Sequence, residues 1–234
     1  MSISLLNKAL TFSFVALLGT SCTDPRIKQI EQFESQYFAA RKRGDIAEAI
    51  AVTRSIQRLD PNEVAHLDTL ALLYLEMGAF SAAKDVADSA IQLIPIISTV
   101  KVAVDCAKNL SHYVGGEQYT QLLLKLGEPE SANLLFELAW FQYHARHYKE
   151  CIITLEKIVT NLNYQRLNKP ETVIRNGQTR IEQMPLVAVS HNLIGACQYE
   201  LGDLESARSS FANAIIWYPN YLEARDNLLS LEDS

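Results

Sequence analysis

The chain of 234 residues is 48% apolar and carries 27 acidic against 21 basic residues, a formal net charge of −6. That acidity argues against a nucleic-acid partner, because phosphate contacts need a basic face. The length sets one domain as the expectation.

Residues 1–21 stand apart from the rest of the chain. Lys8 precedes an apolar run from Ala9 to Leu18, which ends in Gly19-Thr20-Ser21 and then Cys22. A basic start, a short apolar stretch and small residues before a cut describe a secretory signal peptide. The run is too short to cross a membrane, which takes about 20 apolar residues. Leu17-Leu18-Gly19-Thr20-Ser21-Cys22 resembles a bacterial lipobox. The resemblance implies that the Cys22 thiol is acylated and becomes the mature N-terminus, its acyl chains anchoring the domain to a membrane. The sequence departs from the pattern at Gly19, where leucine is usual, with Leu18 one place further back. Thr23 rather than aspartate follows the cysteine, so the signal for inner-membrane retention is absent. Two other readings stay open, an ordinary signal peptide with a chance cysteine and a cytosolic chain with an apolar N-terminal helix. Removing residues 1–21 takes away Lys8 alone and leaves a net charge of about −7. Residues 22–29 are expected as a linker.

From residue 30 the chain repeats. Pro61, Pro95 and Pro129 fall at intervals of 34 residues, Gly44 recurs as Gly78, and Ala49 recurs as Ala83. A period of that size means stacked helical units, since one helix pair cannot bury its own apolar face. Segment 30–63 supplies Gly44, Ala49 and Pro61, with Tyr37 where a small residue is expected. Segment 64–97 supplies Ala71, Tyr74, Gly78, Ala83, Ala90 and Pro95. Segment 98–131 is the weakest: it keeps Pro129 but places Glu117 where alanine belongs, and Gly115-Gly116 reads as a helix end. Segment 132–165 supplies Ala139, a turn at His144-Ala145-Arg146-His147, then Cys151 and Leu155.

The frame then slips across residues 166–187, which are expected as an inserted surface loop and the most mobile part of the domain. Lys169-Pro170, Asn176-Gly177 and Met184-Pro185 are turn signals, and Arg166, Lys169, Arg175 and Arg180 outnumber Glu171 and Glu182. Segment 188–221 resumes the repeat. Val189, Leu193 and Ile194 mark a first helix, Leu201-Gly202-Asp203 breaks it, and Ala207, Phe211, Ala214 and Ile215 form one stripe of a second. Pro219 ends it. Gly195 and Ala207 are expected on facing helices whose axes approach closely. Leu222, Leu228, Leu229 and Leu231, in residues 222–234, suit a capping helix.

Gly195, Gly202, Ala207, Phe211, Ala214 and Pro219 occupy the small, turn-glycine, aromatic, alanine and proline positions of a 34-residue consensus. On these residues the segment resembles the tetratricopeptide repeat (TPR). The resemblance implies an all-α, TPR-type helical solenoid of about five helix–turn–helix repeats with a C-terminal capping helix. It also implies a protein-interaction scaffold whose groove is lined by the first helix of each pair. Carried over position by position, that groove holds Phe38, Arg41, Asp68, Asn109, Phe136, Trp140, Tyr143, Asn192 and Tyr199. Phe136, Trp140 and Tyr143 succeed one another at spacings of four and three, an arrangement suited to anchoring a peptide or partner helix. Trp140 reads equally well as packing between repeats.

Little else points to chemistry. Cys106, Cys151 and Cys197 fall at apolar or small positions and read as buried hydrophobes. His144 and His147 have helical spacing for a shared metal, yet they stand in a turn with no third ligand, and read as solvated histidines. Neither a Gly-x-Ser-x-Gly elbow nor a His-Glu-x-x-His pair is present, so the chain is expected to be a non-enzyme without cofactor or metal. The expected function is that of a lipid-anchored adaptor on the periplasmic side of a bacterial outer membrane, binding a protein or peptide partner and helping to assemble an envelope complex. In size and plan it resembles the small repeat lipoproteins that assist such complexes. The alternatives are a ligand-capturing lipoprotein stacking glycan on Trp140, Phe136 and Tyr143, and a cytosolic co-chaperone.

Overall fold

The computed structural model describes residues 24–175 and 178–231, so Cys22 and the signal-like segment lie outside the described residues. Among the described residues ten helices form five antiparallel pairs: α1 (Pro25–Arg43) with α2 (Ile46–Leu59), α3 (Val64–Glu76) with α4 (Phe80–Leu93), α5 (Ile97–Asn109) with α6 (Tyr113–Lys125), α7 (Ala132–His144) with α8 (Tyr148–Val159), and α9 (Leu186–Glu200) with α10 (Leu204–Trp217). A last helix, α11 (Leu222–Ser230), covers the end of the array. Each helix packs on the next, and α8 packs directly on α9 across the inserted segment.

Side-chain caps start several helices where the sequence has acids or serine. Asp45 accepts from the Glu48 amide at 2.9 Å, Ser131 from Leu134 at 3.2 Å and Asp203 from Ser206 at 3.1 Å. Between the two helices of every pair the chain takes one left-handed step. Glycine makes it in three pairs, at Gly44, Gly78 and Gly202, whereas Ser111 (φ 55°) and Arg146 (φ 64°) make it in the third and fourth. Those two L-residues bear the strain that glycine avoids.

Ala49, Ala83, Cys151 and Ala207 are fully buried at the start of the second helix of their pairs, where a small side chain lets the partner helix come close. Gly195 and Ala207 lie on facing helices, α9 and α10, as expected, and a β-carbon at Gly195 would stand 2.6 Å from the Phe211 ring of α10, so its smallness also seats that aromatic. Gly115 and Gly116 do not end a helix. They lie in the first turn of α6, where a β-carbon on Gly116 would meet the Phe141 ring at 2.1 Å. Phe141 is fully buried in that space. Glu117, the next residue, is buried as well and takes polar partners in place of the missing alanine contact. Its carboxylate accepts from Gln142 Nε2 at 3.4 Å and Gln121 Nε2 at 3.2 Å, and lies 2.6 Å from His147 Nδ1.

The segment expected as an inserted loop is an antiparallel hairpin, β1 (Asn168–Arg175) and β2 (Gln178–Pro185), and α9 starts at Leu186 rather than two residues later. Thr172, Val173, Ile174 and Ile181 are β-branched, and strands favour such residues over the loop that the prolines and charges suggested. Its Asn176-Gly177 signal lies outside the described residues. One face of the hairpin is docked: Met184 is buried, and Val173 packs on the same core as Leu135, Leu155 and Val189. Lys169 pairs with Glu171 and holds its ammonium 4.6 Å from the Phe136 ring centre, and Tyr218 donates to Glu182 at 2.9 Å.

Candidate partner-binding surface

Rings from three successive helices, α6, α7 and α8, meet at the C-terminal end of α7. Trp140 and His144 lie one turn apart, with ring centres 4.4 Å apart. Tyr113, from the start of α6, stacks on His144 at 4.7 Å and meets Trp140 edge-on at 5.6 Å. Tyr143 approaches His144 at 5.3 Å and Tyr148 at 5.8 Å, and Tyr148 donates its hydroxyl to Glu200 of α9 at 3.3 Å. Apart from the exposed His144, the rings of this strip are half-buried, so each braces its neighbours and still presents an edge to solvent.

Exposed apolar side chains continue the strip at matching places in adjacent pairs. Leu110 and Val114 flank it in the third pair, and Tyr199, Leu201 and Leu204 in the fifth. Lys108 lies at one end, its ammonium 5.6 Å from the Trp140 ring centre, and Glu200 stands near the other. Partial desolvation among the neighbouring rings lowers the pKa of the exposed His144 imidazole from its ordinary value, and burial raises that of the Tyr143 phenol, with Glu200 adding to the shift. The surface therefore offers ring edges, hydroxyls and one cation, a set suited to apolar side chains and peptide groups.

Burial pushes the Cys106 thiol up to about 11, and Cys151 is held protonated by its neighbour Cys197 and by burial, with Ala139 accepting from its sulfur at 3.2 Å. Among the described residues no group of three or more His, Cys, Asp or Glu could hold a metal ion, and no helix is long and apolar enough to cross a membrane. His144 and His147 are not free turn residues, since one is stacked between rings and the other is bonded to Glu117.

No protein-family profile matches the sequence, and no curated protein does. Solved structures match it in shape. YrrB, described as a TPR protein with an unusual peptide-binding site, superposes with a TM-score of 0.61 at 13% identity, over 90% of this chain and 99% of its own. MamA superposes with a TM-score of 0.57 at 15% identity, over 80% of this chain and 91% of its own. MamA from Desulfovibrio magneticus RS-1 gives 0.54 at 13% identity, over 83% and 97%. The fold is an all-α TPR solenoid.

In the TPR frame the nine residues expected in the groove separate into two groups. Asp68, Phe136 and Asn192 are buried and hold the solenoid together. Asp68 accepts from Ser98 at 3.0 Å and Thr99 at 2.8 Å, placing a carboxylate at the N-terminus of α5, where the helix dipole favours it. Asn192 binds Tyr221, Glu223 and Asn227 and so docks α11, and Phe136 lies beneath Lys169 of the hairpin. The remainder stay accessible. Phe38 is 53% exposed beside Tyr37, Arg41 pairs with Glu76 at 2.8 Å, and Asn109 donates to the Asp105 carbonyl of its own helix. Tyr199 is exposed, and Trp140 and Tyr143 belong to the strip. Sequence reasoning missed Tyr113, Tyr148 and Lys108, although the aromatic first residue of the second helix in both the third and fourth pairs is a readable signal.

Proposed function

We propose that this chain is a lipid-anchored TPR adaptor of the bacterial cell envelope, which holds a polypeptide partner against the strip formed by Tyr113, Trp140, Tyr143 and Tyr148. The observation that carries the reading is the continuity of that strip: rings from α6, α7 and α8 touch in series and each keeps an accessible edge. YrrB, a TPR protein with a peptide-binding site, supports a peptide or protein as the partner. Cys22, preceded by a short apolar run and small residues, supports acylation, export and a place on the outer membrane, with the solenoid in the periplasm as an assembly aid rather than an enzyme. Glycan capture is less well supported, because Phe136 is buried and Lys108 stands over the Trp140 face that a sugar would use.

Two measurements test the proposal. Intact mass of the membrane fraction should give a chain beginning at Cys22 and carrying acyl chains; a chain retaining Met1 would favour the cytosolic co-chaperone. Crosslinking in intact cells, then mass spectrometry, should recover one stoichiometric envelope protein, with crosslinks at the strip. A strip that captures only glycan, or nothing, would overturn the adaptor reading.

A further inference from the structure

The inserted hairpin has one open edge. Leu186 N–H donates to the Leu167 carbonyl at 2.8 Å, and the pairs of the ladder continue in the same register, from Asn168 with Pro185 to Arg175 with Gln178. Hydrogen-bonded pairs alternate in an antiparallel ladder, so those at Lys169–Met184, Glu171–Glu182 and Val173–Arg180 bond inward. The main-chain groups of Thr179, Ile181 and Gln183 therefore point away from β1. On the other edge Pro170 occupies an outward position and has no N–H to offer, which blunts β1 against pairing. β2 has no such protection, and among the described residues the sheet contains two strands only. Ile181 is 74% exposed on its solvent face. A two-stranded sheet of this kind gains stability from further strands.

We propose that a second copy of this chain pairs with it through β2, antiparallel and centred on Ile181, making a four-stranded sheet across a two-fold axis. Charge selects both this occupant and this register. With Ile181 opposite Ile181 of the second copy, Thr179 faces Gln183 and Arg180 faces Glu182 on each side of the axis. Sliding by one step in either direction places Arg180 opposite Arg180 or Glu182 opposite Glu182, and like charges directly opposed are unfavourable; the hairpin's own Glu171–Glu182 pair is offset by Lys169 beside Glu171 and by the Tyr218 hydroxyl on Glu182. The segment Thr179-Arg180-Ile181-Glu182-Gln183 is thus complementary to itself in one register, as an isologous contact requires. Glu182 keeps the Tyr218 hydroxyl, and a carboxylate with two oxygens accepts more than one donor.

The test uses the full chain in density-matched detergent and sedimentation equilibrium, with circular dichroism to verify that each variant keeps its helices. The wild type should dimerise, and Arg180→Glu and Glu182→Arg should each weaken self-association by about tenfold or more. An equimolar mixture of the two variants should recover the dimer, because every Arg180 and Glu182 position then faces an opposite charge. Ile181→Pro, which removes one outward N–H and leaves the hairpin ladder intact, should also give monomers. A monomeric wild type, single variants that associate like the wild type, or a mixture that stays monomeric would each overturn the proposal. So would amide protection of Thr179 to Gln183 that needs a different polypeptide, since the edge would then serve a foreign strand. The outcome is independent of whether the aromatic strip binds a partner.

Discussion

Gly116 faces Phe141 so closely that a single β-carbon on the glycine would stand 2.1 Å from the ring. The third repeat has moved its small residue by one place: glycine at 116 admits the aromatic, and the next position is left to a buried glutamate. Gly116→Ala should therefore destabilise the protein by about 1–3 kcal/mol, the usual cost of forcing atoms into a packed interior. Urea denaturation reads the change directly. A neutral result would show that Phe141 has room to retreat.

Arg146 occupies the left-handed step that glycine makes in the first, second and fifth pairs. Replacing it with glycine should raise stability by up to about 1 kcal/mol, because the side-chain strain exceeds the added freedom of the unfolded chain. The same substitution at Ser111 should act in the same direction. A lower melting temperature for Arg146→Gly would mean that its side chain contributes more than the strain costs.

His144 gives a pH dependence with a definite sign. Partial desolvation by the neighbouring rings lowers its folded pKa beneath the ordinary 6.5, so the unfolded chain takes up the proton first. Its contribution to stability is complete above about pH 6.5 and is lost as pH falls through the lower folded value. His191 is shifted in the same direction, also by burial. When stability is measured from pH 7.5 to 5 by urea titration, His144→Gln should flatten this part of the curve relative to wild type. An unchanged slope would show that the neighbouring rings do not desolvate the imidazole.

Asp68 and Tyr143 should separate structure from recognition. Asp68→Ala removes the acceptor of two hydroxyls at the start of α5, one of them fully buried, and should cost about 1–3 kcal/mol of stability. Tyr143→Ala should weaken partner binding by about 2 kcal/mol or more with a smaller loss of stability, as truncation of an interface anchor does. Calorimetry of the two variants with the crosslinked partner makes the comparison. Equal losses of binding and stability for Tyr143→Ala would return that residue to the core.

Helix pairing was readable from the chain because it rests on local signals: prolines at a fixed interval, glycine after each of several first helices, and a small residue early in the second. Those signals weaken where neighbours trade places, as at Gly116 and Glu117, since the compensation lies in Phe141, Gln142 and His147, which belong to the next repeat. The hairpin was hidden for a related reason. Its prolines and charges suggest a loop, yet Pro170 and Pro185 occupy ladder positions whose missing N–H would face outward. Of the residues expected in the groove, Trp140 and Tyr143 are half-buried in the ring strip at the end of α7. Asp68 and Asn192 belong to the first helices as expected, but their polar ends serve neighbouring helices, a distinction no single-chain periodicity encodes.

The polar links between units differ from one another. Asp68 reaches Ser98 and Thr99, Glu117 reaches Gln142 and His147, and Asn192 reaches Tyr221, Glu223 and Asn227. Each of these units thus carries a connector that fits its own successor. Deleting or duplicating one would leave a buried carboxylate or amide facing the wrong surface. Arrays of interchangeable units can change length by recombination, whereas losing one of these three units would strand the polar group that its neighbour was shaped to meet.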